Sequence, residues 1–314
     1  MKKPELLVSA KSFASVVPLL DAGADALSIG DARYGLRNAG DFTIEEINQT
    51  VKIAHERGAK VYVNVNALLH NDELNGLEEY LGHLDSIGVD GIVFGDPSVL
   101  LTAREVTPNL KLHWSMEMLS TSFDTVNYWA SKGATRAVLA RELTIDETIE
   151  NRENSAIEIQ AQIHGATCIF HSRRDLVTAY FGYQGRDVEQ ESTGMERGLY
   201  MKEEKRQTVN YPIYEDAHGT HVMSAEDICM IDGLEDFING GIDSLKIEGL
   251  LQTEEYILTV TKLYRRAIDL CLTDVEAYRD QAMNFLDQIE AIQPANRPLN
   301  TGFYYKPPIP YQTS

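Results

Sequence analysis

The residues best suited to chemistry stand at the downstream ends of short apolar runs. In chain order those ends give Gly30 with the nearby Arg33 and Arg37, Asn64 and Asn66, Asp96, Ser115 and Glu117, Arg141 and Glu142, Gln162 and His164, then Lys246 and Glu248. Basic, carboxylate, amide and imidazole groups in one set suit a small anionic ligand with several functional groups, because a guanidinium grips a carboxylate bidentately and an ammonium adds a point charge. Arg37, Arg141 and Lys246, with Asn66, are the candidates for holding such a ligand. Glu117, His164 and Glu248 are the candidates for proton transfer, which needs a titratable group within hydrogen-bond reach of the reacting atom. Structural roles compete at the same positions. Lys246-x-Glu248 also suits an ion pair inside a barrel, Arg141-Glu142 a rim salt bridge, and His164 a bond to a backbone carbonyl.

The run 156–165 (AIEIQAQIHG) states the positioning problem most clearly. Ile157, Ile159, Ala161 and Ile163 fall on one parity; Glu158, Gln160, Gln162 and His164 fall on the other. A strand has period two, so the four polar groups are expected to point one way. Strand and helix patterns alternate around this run, which predicts a parallel sheet buried on both faces. A buried polar group without a partner costs about 1–3 kcal/mol. A polar interior of this kind therefore reads as a site rather than a core.

The elements that must position these residues follow from periodicity. Strands are predicted over 5–10, 25–30, 60–66, 90–96, 111–117, 135–142, 157–164 and 243–249, with amphipathic stretches between them. Thr43 with Glu46, and Thr144 with Glu147, form capping boxes that open two of the helices. Ser224 with Asp227 predicts a third box and a helix over 224–240, and one long helix is expected from 253 to about 292. Eight strands in this order predict a (β/α)8 TIM-type barrel over 1–292, whose functional face lies at the C-terminal ends of the strands. One interval is long: 166–223, between the seventh and eighth strands, predicts an insertion containing a β-hairpin about Asp216–Gly219. Residues 293–314, rich in proline and aromatics, are expected to follow the C-terminal helix as an extended tail.

Composition removes several classes of function. A net charge of −20 disfavours autonomous binding of nucleic acid, since phosphate neutralisation supplies most of that affinity. No apolar run reaches the roughly 18 residues of a membrane span. The opening residues MKKPE lead into a strand pattern with no signal-peptide core, so the expectation is a cytoplasmic protein without membrane contact. Cys168, Cys229 and Cys271 are widely spaced, so neither a disulfide framework nor a metal site is expected in this chain. His218 and His221 resemble a metal pair, but a solvated turn explains them better. The chain has no G-x-S-x-G, no H-E-x-x-H, no P-loop and no dinucleotide fingerprint.

Several runs together resemble the collagenase-like peptidase family U32: AGADALSIG (22–30), GAKVYVNVNAL (58–68), VLARELT (138–144), IHGATC (163–168), SAEDICMI (224–231) and GIDSLKIEGL (241–250), with Tyr256 and Tyr264-Arg265 after the last. More narrowly, the chain is similar to the shorter, Gram-positive-type members, which occur as paired paralogues implicated in hydroxylating the wobble uridine of tRNA. That resemblance implies a barrel fold, a part in forming 5-hydroxyuridine, and prephenate as oxygen source. Prephenate is a dicarboxylate, in agreement with the basic residues identified above. The family name also implies proteolysis. Cys168 with His164 is the one conceivable nucleophile pair for it, and at i, i+4 on a strand the two stand roughly 13 Å apart along the chain.

The departures from the family pattern are specific. The family signature places Cys-x4-Gly-x-Cys after the His-Gly; here Cys168 matches, but Arg173 and Asp175 stand at the other two positions. The family glutamate before the His-Gly is Gln160, and the arginine expected after Lys-Ile-Glu-Gly is Leu250. One cysteine cannot hold a four-cysteine iron–sulfur cluster. The resemblance thus implies that no cofactor is bound by this chain and that any iron–sulfur cluster belongs to a cysteine-bearing paralogue acting as a heteromeric partner, which would also supply basic surface for tRNA. A non-catalytic subunit that stabilises such a partner is the remaining reading.

Overall fold

The computed structural model describes residues 2–115, 121–185 and 193–306. The chain begins with six strand–helix units: β1 (Glu5–Ser9), α1 (Phe13–Asp21), β2 (Ala26–Ile29), α2 (Ile44–Glu56), β3 (Lys60–Val65), α3 (Leu77–Ser86), β4 (Gly91–Phe94), α4 (Pro97–Val106), β5 (Leu112–Ser115), α5 (Phe123–Ser131), β6 (Arg136–Val138) and α6 (Ile145–Glu153). Local chemistry sets the helix starts. Thr43 and Thr144 form their capping boxes with Glu46 and Glu147, and Asp96 caps α4 ahead of Pro97.

The seventh strand, β7 (Glu158–Gly165), leads into the insertion: β8 (Cys168–Ser172), α7 (Leu176–Tyr183), β9 (Leu199–Glu203), β10 (Arg206–Asp216) and β11 (Gly219–Met223). There follow β12 (Asp227–Cys229), α8 (Leu234–Asn239), β13 (Ser244–Ile247), α9 (Glu254–Thr273), α10 (Val275–Glu290) and the short β14 (Leu299–Asn300). Strands β1 to β7 pair in parallel in sequence order, and β13 pairs in parallel with both β1 and β7. The sheet therefore closes into the expected eight-stranded β/α barrel. Its core is the layer between strands and helices, where Leu6, Val8, Leu27, Ile29, Val61, Val63, Ile92 and Phe94 point away from the lumen.

The insertion is a four-stranded antiparallel sheet ordered β8-β11-β10-β9, and β10 and β11 form the hairpin expected about residues 216–219. It lies across the barrel mouth. Ala166, Cys168, Tyr214 and Met223 make a second small core with Leu250, which follows β13. His218 Nε2 lies 2.7 Å from the carbonyl of Ala32, and Arg173 pairs with Glu73 at 2.9 Å, tying the sheet to the opposite rim. His218 and His221 are buried in this packing, not solvated.

Two expected helices are broken, each for an identifiable reason. Over 224–240 the chain forms β12, antiparallel to β7, and then only the six-residue α8. The Asp227 carboxylate expected to serve a cap is buried instead. It accepts from Arg297 Nη2 at 2.5 Å, Gln252 Nε2 at 2.6 Å and Gln293 Nε2 at 2.9 Å, and such tertiary bonds outweigh a local cap worth about 1 kcal/mol. The C-terminal helix is two helices, because Asp274 is extended (φ −152°) and caps α10 through Ala277 N. Among the described residues, no helix is long and apolar enough to cross a membrane.

Candidate functional site

The barrel lumen is filled by the polar parity of its strands, and it has two levels. At the N-terminal end Arg136, 2 % exposed, donates to Glu5 Oε1 at 2.6 Å and to Glu158 Oε2 at 2.7 Å. Ser244 Oγ and Tyr62 Oη also donate to Glu5, at 2.9 and 2.8 Å, and the guanidinium lies 4.8 Å from the Tyr62 ring centroid. Burial works to raise the Glu5 pKa, but the Arg136 charge and these hydrogen bonds hold it below the usual carboxylate value. This level is a plug built on the Arg136–Glu5 pair, and it accounts for Glu158 of the polar run.

Above the plug, Leu7, Val93 and Val138 give an apolar floor, and the C-terminal level is lined by Ser28, Asn64, Asn66, Gln160, Arg37, Arg141, Lys246, Glu248 and Cys168. Leu36, Ala166, Met223 and Leu250 complete the wall. The space between these side chains is about 500 Å³ counted out to the open mouth, of which only about 20 Å³ is wide enough for the centre of a water molecule. A ligand of metabolite size therefore enters only as the surrounding side chains give way.

The structure brings Arg37, Asn66, Arg141, Lys246 and Glu248 together around this cavity. Lys246 Nζ and Glu248 Oε2 are 2.9 Å apart, and Glu248 Oε1 also accepts from Leu250 N at 3.1 Å. Arg141 Nε donates to Gln162 Oε1 at 2.6 Å. The Gln162 amide nitrogen is directed to the carbonyls of His164, Gly165 and Ala166, so this residue is fixed from both ends. Arg37 has a left-handed backbone (φ 54°), a conformation that costs a residue other than glycine about 1–2 kcal/mol. Asn66 accepts from Leu36 N at 2.8 Å and so holds the loop that carries Arg37. Among the described residues, the cavity wall holds Arg37, Arg141 and Lys246 beside Glu248, in a chain whose net charge is −20.

His164 is not part of this set. The pairing of β7 with β13 shifts between Lys246 and Ile247, opposite Gln162 and His164, and the irregularity carries His164 out of the lumen. It lies under α9, with Nε2 2.9 Å from Tyr256 Oη, and burial lowers its pKa to about 4, so it is a neutral packing group at pH 7. Glu117 lies outside the described residues. Asp96 caps α4, and Arg33 binds the carbonyl of Asn75 at 2.7 Å.

Sequence reasoning collected Asn64 among the strand ends but assigned it no role, gave Gln160 and Cys168 none in ligand binding, and passed over Ser28. Gln160 carried the right signal, since it shares the parity of Gln162. Ser28 was hidden because the register of its strand, not its neighbours, aims it inward. Gln160 is 2 % exposed, lines the cavity, and its carboxamide oxygen has no hydrogen-bond partner among the described residues.

Among the described residues, neither a metal centre nor a cysteine nucleophile paired with a base is assembled. Cys168 is in the cavity wall, Cys229 is on β12 and Cys271 on α9, so the three thiols occupy separate elements and do not fit a four-cysteine cluster. Cys168 Sγ donates to Phe170 O at 3.3 Å, while His164 is bonded to Tyr256 and His171 Nε2 lies 3.0 Å from the carbonyl of His218. Outside the cavity a groove of about 560 Å³ opens beside Arg141 and Cys168 and is lined by Tyr211, Phe303, Arg206 and Lys306.

Comparison with known proteins places these features in context. The description "Peptidase family U32" matches residues 11–313. The chain is 51 % identical over 306 residues to tRNA hydroxylation protein P2 of Bacillus subtilis, covering 98 % of this chain and 99 % of that protein. It is 36 % identical over 308 residues to tRNA hydroxylation protein P1 of the same organism, covering 96 % of this chain and 71 % of the relative. Among solved structures, a U32 peptidase superposes with a TM-score of 0.50 at 16 % identity, over 78 % of this chain and 92 % of the other, a likeness of fold.

Proposed function

The chain belongs to peptidase family U32, and from that premise we propose that it takes part in the 5-hydroxylation of wobble uridine in tRNA, in the cytoplasm, with a small dicarboxylate such as prephenate bound in the barrel mouth. The observation that carries this reading is the gathering of Arg37, Arg141 and Lys246 in the wall of one cavity at the barrel mouth of an otherwise acidic protein. Two cationic types at fixed positions match two carboxylates better than one, and the apolar floor of Leu7, Val93 and Val138 accepts a carbon ring. The relatives named for tRNA hydroxylation supply the reaction class.

In this reading the ligand carboxylates lie against Arg141 and Lys246. Glu248, oriented by Lys246 and Leu250 N, is placed to exchange a proton with the ligand. The groove beside Arg141 is the approach for an extruded nucleotide, whose base stacks on Tyr211 or Phe303 while Arg206 and Lys306 meet phosphate. A paralogue of the P1 type is the proposed partner, and it would carry any iron–sulfur cluster, because the thiols of this chain do not fit one. The isolated Cys168 favours a second reading, in which this chain binds the metabolite or stabilises its partner and the partner performs the oxidation. The geometry lends proteolysis no support, since among the described residues Cys168 is hydrogen-bonded to Phe170 O and not to an imidazole.

Mass spectrometry of tRNA nucleosides from a strain lacking this chain tests the proposal. Loss of 5-hydroxyuridine derivatives, restored by the wild-type chain but not by Arg141→Ala or Lys246→Ala, is the expected result. Unchanged nucleosides in the deletion strain, with any parallel hydroxylation route also removed, would contradict it.

A further inference from the structure

We propose that the Gln160 carboxamide is the inner recognition contact of the cavity and selects a carboxylate ligand that also carries a hydroxyl group. This rests on the proposed metabolite site and adds what that ligand must contain. Two glutamines two residues apart on β7 differ in their bonding. Gln162 is bonded at both ends of its amide, by Arg141 on one side and by three backbone carbonyls on the other. Gln160 is as deeply buried, yet its oxygen accepts nothing from the described residues.

The two register neighbours do not supply the missing donor. In the sheet register Gln160 stands beside Val138 on β6 and Ser244 on β13. Valine has no polar atom, and the Ser244 hydroxyl is donated to Glu5 in the plug below. A buried acceptor left open in this way is a destabilising feature of the empty protein. Its natural role is to meet a donor carried by a bound ligand.

The chemistry of that something follows by elimination. The Gln160 oxygen needs a hydrogen-bond donor, and a carboxylate at neutral pH has none. An ammonium would donate, but Arg37, Arg141 and Lys246 around the same cavity repel it. An uncharged hydroxyl satisfies both conditions: it donates to the Gln160 oxygen at the floor while the carboxylate of the same ligand meets the cations above. A site built to bond a hydroxyl discriminates against the analogue that lacks it, because the buried polar group is then left open.

The test uses the full chain and two probes that differ by one hydroxyl, malate and succinate, with titration calorimetry and thermal unfolding of the wild type and Gln160→Leu. The wild type is expected to bind malate at least about 10-fold more tightly than succinate. Gln160→Leu should lose that preference, keep the affinity for succinate, and unfold at a temperature no lower than the wild type. A wild type without preference, including one that binds neither compound, overturns the proposal. So does a Gln160→Leu protein that retains the preference. A variant with lowered stability that has lost both compounds would assign Gln160 a structural role and overturn it too. The outcome separates from the tRNA reading: a hydroxyl preference that depends on Gln160, in a protein whose deletion leaves tRNA unchanged, would uphold this inference and sink only that function.

Discussion

Replacing Lys246 by methionine separates a structural ion pair from a ligand-binding one. Lys246 and Glu248 meet at 2.9 Å with side chains only 10 % and 8 % exposed. Removing one partner of a buried pair strands the other, at a cost of about 3–5 kcal/mol, whereas replacing both by apolar residues of similar volume is often close to neutral. Glu248 keeps its bond from Leu250 N, and Arg37 and Arg141 line the same cavity, so the lower end applies. Lys246→Met should therefore cost about 3 kcal/mol in stability measured by urea unfolding. The double variant Lys246→Met, Glu248→Leu should recover at least about 2 kcal/mol of that, a coupling typical of residues in contact. Titration calorimetry with prephenate on the same proteins should show binding lost in both variants, although stability is lost mainly in one. A single variant that costs less than about 1 kcal/mol would mean that the pair is solvated and the cavity open, and would refute the reasoning. A double variant that still binds prephenate would show that the lysine serves the fold alone.

Two further predictions concern pH and the thiol. His164 has a folded pKa near 4 against an unfolded value near 6.5, so the unfolded state binds the extra proton in that window. Stability should then fall by roughly 3 kcal/mol as pH drops from 6.5 to 4, and His164→Gln should flatten this slope in urea titrations. Glu5 adds to the loss at the acid end: its folded pKa is depressed, so its contribution is present above the unfolded value and disappears as pH falls through the folded one, an effect Glu5→Gln should remove. Cys168→Ala should leave wobble hydroxylation in cells above half the wild-type level, and the purified wild type should not cleave gelatin; cleavage abolished by this substitution would revive the peptidase reading.

The barrel was legible because each strand–helix unit carries its own signals, in apolar runs, caps and glycine stops, and because eight such units admit few closures. Individual site positions were less legible. Parity correctly placed Glu158, Gln160 and Gln162 inside the lumen, but it could not divide them between the plug and the cavity, since that depends on the arginine each level receives from β6 or beyond: Arg136 below, Arg141 above. Nor could parity anticipate the register shift that turns His164 outward, because the shift belongs to the pairing of two strands about 80 residues apart. The helix expected at Ser224 failed for the same kind of reason. Its cap residue Asp227 was taken by Arg297, far along the chain. At Asp227 the local signal failed because a buried charge found a distant partner.

The central claim is that the barrel mouth holds a small dicarboxylate between the upper cations and the Gln160 floor. A crystal structure of this protein grown with prephenate tests it most directly. The ligand is expected within hydrogen-bond distance of Arg141, Lys246 and Gln160, with the cavity wall displaced to admit it. A well-diffracting crystal saturated with prephenate in which this cavity stays closed, or in which the ligand sits elsewhere, would contradict the account.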